Sequence, residues 1–127
     1  MKNIIFENEQ HKKRYISLLH EVGETEDTGD TEIKSAMYLL ALIGKNEKEL
    51  FDFSSRSIIP KGIKAAWQTG GTVRATRLLY ILWNGFPSER QQKNNNIYNI
   101  FGYSEWDKYF IEAIKIRYPY TTTAKGE

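Results

Sequence analysis

Apolar positions along this chain recur three and four residues apart, and nowhere hold the period-two alternation of a half-buried strand. Tyr15, Ile16, Leu18, Leu19 and Val22 mark one face of a first helix, about Asn8 to Val22, with Gly23 as its stop. Ahead of it, Met1 to Phe6 reads as a short extended arm whose Ile4, Ile5 and Phe6 cover an edge of the core. Glu24 to Asp30 is a polar loop. Asp30 or Thr31 then caps a second helix to about Ile43, with Ile33, Ala36, Met37, Leu40 and Ile43 inward and Gly44 ending it. Leu39 and Leu42 widen that stripe, so this helix is expected to be mostly buried.

Asn46-Glu47-Lys48-Glu49 has capping-box spacing, which predicts a short helix carrying Leu50, Phe51 and Phe53. Pro60 suits the first turn of a helix reaching about Thr69, because its missing N–H would be unpaired there. Gly62 costs such a helix about 1 kcal/mol. Gly70-Gly71 reads as a tight turn, with Thr72 capping a helix that runs to Trp83 or Asn84 and stops at Gly85. Leu78 to Trp83 is apolar on every side, which predicts that this helix is the central one. Phe86 to Asn96 is a loop, and Ile97 to Phe101 a turn or short helix. A last helix opens at Ser104-Glu105-Trp106-Asp107, carries Tyr109, Phe110, Ala113 and Ile114, and is ended by Pro119. The pattern therefore predicts an all-α fold: one compact domain over 1–119, with six to seven helices around the helix at about 72–84. Residues 120–127 read as a flexible tail.

Composition narrows the chemistry. At 127 residues the chain suits one domain, and 40% apolar residues suffice for a core. With no cysteine, disulfides, thiolate metal sites and a cysteine nucleophile are excluded. No apolar run approaches the ~20 residues that span a bilayer. Met1 to Phe6 is too short for a signal peptide. A soluble cytoplasmic protein with no membrane contact is expected. No G-x-S-x-G, H-E-x-x-H or G-x-G-x-x-G occurs, and no enzyme activity, cofactor or metal is expected. His11 and His20 lie nine apart, on opposite faces of a helix, and read as half-exposed surface histidines.

The net charge of +2 conceals a segregation. Glu21 to Glu32 holds six carboxylates and no lysine or arginine. The loop reads as solvated or as a surface for a basic partner; its spacing does not fit a calcium loop. Phe53 to Lys93 holds seven positive side chains against Glu89 alone. Three readings compete there: an anion or nucleic-acid site at Gly70-Gly71 with Arg74 and Arg77, a helix-turn-helix, or a structural junction of Gln68, Thr69 and Thr72. A ligand site near Trp67 is a weaker fourth. Tyr98, Tyr103, Tyr118 and Tyr120 crowd the final third as candidate surface residues.

Three stretches together carry a resemblance. They are His11-Lys12-Lys13-Arg14-Tyr15; Asp30-Thr31-Glu32 with Ala36-Met37-Tyr38-Leu39-Leu40; and Asp52-Phe53 with Trp67-Gln68-Thr69-Gly70-Gly71-Thr72, Arg77-Leu78-Leu79 and Leu82-Trp83-Asn84-Gly85. The chain resembles a family of uncharacterised small proteins of Gram-positive bacteria, their phages and mobile elements. The resemblance brings no activity to transfer. It implies an accessory gene product that binds host machinery, with anti-defence inhibitors such as anti-CRISPRs among the precedents. The expectation is a non-enzymatic protein that binds a protein partner through Glu24, Glu26, Asp27, Asp30, Tyr98 and Tyr103. The alternative is a helix-turn-helix-like nucleic-acid binder using Lys61, Lys64, Gly70, Gly71, Thr72, Arg74 and Arg77.

Overall fold

The structure is a computed structural model that describes residues 3–84, 100–102 and 105–119. Its elements are helices α1 (Glu9–Glu21), α2 (Thr31–Ile43), α3 (Gly70–Asn84) and α4 (Asp107–Arg117), and strands β1 (Phe51–Asp52) and β2 (Ser57–Ile58). Glu47–Glu49 and Pro60–Lys64 are 3-10 turns. Among the described residues the chain is thus mainly helical, with four α-helices and a two-stranded hairpin. Six to seven helices do not form there. The loop predicted at Phe86 to Asn96, the stop at Gly85, Ser104 and residues 120–127 lie outside the described residues, as does all of the predicted Ile97–Phe101 turn before Ile100.

The first two helices begin and end where their polar residues allow. The Asn8 side chain accepts from the His11 N–H at 2.8 Å, and that of Asp30 from the Ile33 N–H at 3.0 Å. Gly44 closes α2 in the left-handed region, at φ 82°.

The third predicted helix fails for a local reason. Asn46 itself is left-handed, at φ 53°, and its side chain caps nothing. After one 3-10 turn the chain enters the hairpin, where Phe51 pairs with Ile58 and Asp52 with Ser57. The Asp52 carboxylate accepts from the backbone N–H groups of Ser54 and Ser55 and from the Ser54 hydroxyl, which folds the loop.

The Pro60 segment also stops after a 3-10 turn. Gly62 is buried against the preceding backbone: a Cβ there would lie 2.3 Å from the Glu49 carbonyl oxygen. Close approach, not a helix interior, sets this glycine.

The start of α3 corrects another expectation. The Thr72 N–H donates to Thr69 Oγ1 at 3.3 Å, and the Thr69 N–H donates to Thr72 Oγ1 at 2.7 Å. This is a reciprocal capping box with threonine at both positions. Thr69 is the cap, and Gly70-Gly71 forms the first helical turn rather than a turn before the helix.

The hub is α2, not α3. Ten residues of α2 are buried, all but Thr31, Glu32 and Lys34, and α1, α3 and α4 each pack on it. α3 lies on one flank and touches α4 far less. It is still well covered: Ala75, Thr76, Leu78, Leu79, Tyr80 and Leu82 are buried, and no residue from Gly71 to Trp83 is fully exposed. Arg117 ties three helices together. It donates to the Leu82 carbonyl at 2.9 Å and the Thr31 hydroxyl at 3.3 Å, and lies 3.7 Å from Glu32. None of the described helices is long and apolar enough to cross a membrane.

Candidate functional site

The predicted acidic surface divides in two. Arg56, at the hairpin tip, lies 2.6 Å from the Glu24 carboxylate and 3.9 Å from that of Asp30. The Thr28 hydroxyl and Arg56 hold the Glu24 carboxyl below the usual carboxylate range. Asp30 is further occupied as the α2 cap. These two acids hold the loop against the hairpin. Glu26 and Asp27 are exposed, and among the described residues their carboxylates make no hydrogen bond or ion pair. Tyr98 and Tyr103 lie outside the described residues.

The predicted basic site is dispersed. Lys61 and Lys64 are exposed on their 3-10 turn, and Gly70 is exposed at the start of α3. Gly71 lies beneath the Trp106 ring, where a Cβ would sit 3.8 Å from it. Thr72 is buried in the capping box, and Arg74 and Arg77 are half-buried. Pro60–Lys64 is not an α-helix, so no pair of α-helices flanks a turn here as a helix-turn-helix requires. Gln68 donates to the Gly62 carbonyl at 3.1 Å and lies 3.2 Å from the Thr76 hydroxyl, bridging turn and helix. Trp67 donates to Glu49 at 2.8 Å.

The most organised polar constellation lies elsewhere, beneath the N-terminal arm. Three side chains from three helices converge on the backbone of residues 5–7. Glu112 of α4, itself buried, accepts the Ile5 N–H at 3.1 Å. Tyr38 of α2, wholly buried, donates its hydroxyl to the Ile5 carbonyl at 2.5 Å. His11 of α1 accepts the Glu7 N–H on Nδ1 at 3.0 Å.

His11 is 2% exposed, not half-exposed as its sequence position suggested. Its second nitrogen, Nε2, faces the Tyr38 carbonyl at 3.0 Å. Accepting on Nδ1 and donating from Nε2 defines a neutral imidazole. Burial holds its pKa below the ordinary histidine value.

Aromatic rings floor the arm. Phe6 packs against His11, Tyr15 and Tyr38 with centroids 5.1, 5.5 and 5.7 Å away. Burial, then the Glu112 carboxylate, push the Tyr38 phenol far up. Burial and Glu26 push the Tyr15 phenol up to about 12.

Clefts border the arm. One of about 300 Å³ lies between Ile4, Glu26, Lys34, Glu112 and Lys115. Another of about 390 Å³ lies between Ile4, Phe6, Lys12, Tyr15, Glu26 and Asp27. A third of about 510 Å³ lies at Glu7, Thr69, Gly71, Glu105, Trp106 and Tyr109, where the Trp106 indole donates to Glu7 at 2.9 Å. Glu26 lines two of the three, so the acidic loop and the arm share one surface.

A signal for this constellation was present in the chain. His11 stands four before Tyr15 and seven before Leu18, on the apolar stripe of α1. Glu112 stands between Tyr109 and Ile116 on that of α4. A polar residue on a buried stripe needs a partner, and here each of the two finds one in the arm backbone.

These features define a small, mainly helical protein organised around one enclosed helix and strapped by its own N-terminal segment. The chain belongs to a family of unknown function, DUF6075, whose model matches residues 1–127. No curated protein and no solved structure matches it.

Proposed function

We propose that this is a non-enzymatic binding protein of the phage or mobile-element accessory type, acting on a basic protein partner in the cytoplasm. The observation that carries the reading is the division within the acidic loop. Glu24 and Asp30 are held by Arg56 and by a helix cap, while Glu26 and Asp27 project beside the arm and form no ion pair among the described residues. Exposed carboxylates left unpaired in one loop form a local negative field that attracts a basic surface. A nucleic-acid-binding effector of a defence system has such a surface, and blocking it would make the chain an anti-CRISPR-like inhibitor.

The test is capture from host lysate by the immobilised chain. Glu26→Lys with Asp27→Lys is expected to abolish capture while leaving the melting temperature within about 2 °C, since surface changes shift stability little. Undiminished capture by the double variant would overturn the reading. Lys61 and Lys64 are exposed and keep a second reading open to the same experiment. Capture that vanishes on nuclease treatment, with a salt-sensitive gel shift that needs both lysines, assigns the partner to nucleic acid instead.

A further inference from the structure

The polar groups beneath the arm match one edge of an extended strand. In such a strand the N–H and C=O of residue i and the N–H of residue i+2 point to the same side. Glu112 takes the N–H of residue 5, Tyr38 its C=O, and His11 the N–H of residue 7. The Ile4 and Phe6 side chains are half-buried, while Ile5 is 54% exposed. Recognition therefore runs through main-chain groups, with an apolar contact at every second residue. At Ile5 nothing but backbone is read.

Such a clamp is indifferent to which chain supplies the strand. Among the described residues, two buried side chains, Glu112 and Tyr38, hydrogen-bond to the Ile5 backbone alone, and a buried carboxylate or phenol is costly without a partner. An extended ligand that presents the same edge satisfies them as well as the arm does. The clefts beside Ile4 carry both signs, Glu26, Asp27 and Glu112 against Lys12, Lys34 and Lys115, so the recognition lies in the main-chain edge and the two apolar side chains.

We infer that this groove is a peptide-binding site for an extended segment of a partner protein, with an aliphatic and an aromatic residue two positions apart, and that residues 4–6 are its resident competitor. The inference rests on the reading of the chain as a binder of a protein partner and names the element of that partner it grips.

The probe is a fluorescent peptide of the chain's own residues 2–7, Lys-Asn-Ile-Ile-Phe-Glu, followed by anisotropy against the full chain. Ile5→Pro removes the N–H that Glu112 accepts, at a side chain that is largely solvent-exposed. With its own arm loosened, this variant is expected to bind the peptide at least about tenfold more tightly than wild type, because an occupied site lowers apparent affinity by the fraction free. N-methylation of the peptide at its Ile5 amide is expected to weaken binding at least about tenfold, by removing a hydrogen bond to a carboxylate.

No saturable binding to an Ile5→Pro chain that keeps the wild-type circular dichroism overturns the inference, and so does indifference to N-methylation. Should Ile5→Pro not fold, the amide resonance of Ile5 in the wild-type chain decides: the peptide must shift it in a saturable way, and an unmoved signal overturns the site. Lysate capture fails independently of this assay. Peptide binding without capture supports the groove and sinks the wider reading, while capture without peptide binding sinks the groove alone.

Discussion

His11 and Glu112 stand on the apolar stripes of their helices, where a polar side chain is tolerated only with its hydrogen bonds made. For His11 that condition fixes the protonation state. Nδ1 must accept from Glu7, so a proton added there turns the acceptor into a donor facing an N–H. The folded-state pKa lies below the unfolded value near 6.5, so the unfolded chain takes up the proton first. Stability is therefore fully present above that value and declines as pH falls through the folded-state pKa. Chemical denaturation between pH 8 and about pH 5 is expected to show this fall. His11→Phe is expected to remove this His11 component of the dependence and to lower stability at pH 8 by about 1–3 kcal/mol, through two lost hydrogen bonds. A wild-type slope retained in that variant would place the titration elsewhere.

At the scale of elements, the helices that read clearly in the chain are those with both ends marked. α1 and α2 begin at Asn8 and Asp30 and end at Gly23 and Gly44, and periodicity fills the interval. The segment between them and α3 was illegible because its signals are tertiary. Asn46 has the chemistry of a cap but adopts a left-handed backbone, which sequence spacing does not disclose. Two-residue strands are too short to show a period. Gly62 reads as a helix defect and is in fact a contact between two backbones. Gly62→Ala should therefore do the opposite of what helix propensity suggests. A Cβ would meet the Glu49 carbonyl and the Leu50 side chain, and overpacking of this kind costs about 1–3 kcal/mol. A melting temperature raised by the alanine would contradict the packing account.

At the scale of the whole molecule, the identity of the hub was the main misreading. Leu78 to Trp83 looked central because it is apolar all round, yet Ala36 to Ile43 is a longer unbroken apolar stretch and has helices on three sides. Counting how many faces need covering matters more than the greasiness of any one half-helix. The arm site was only partly legible for a related reason: each of its polar residues is visible on a stripe, but their convergence belongs to the fold. Amide exchange is expected to separate these layers. Amides in the middle of α2 should exchange only through global unfolding, and those of Ile5 and Glu7 through a much cheaper local opening. Equal protection of arm and hub would show the strap to be an integral part of the core.

The order of elements also bears on how the molecule is made. Synthesis releases α2 from the ribosome before α4, which closes one of its sides, has emerged. A nascent chain halted before Asp107 thus presents an uncovered greasy rod, the sort of surface on which chaperones act and aggregates start.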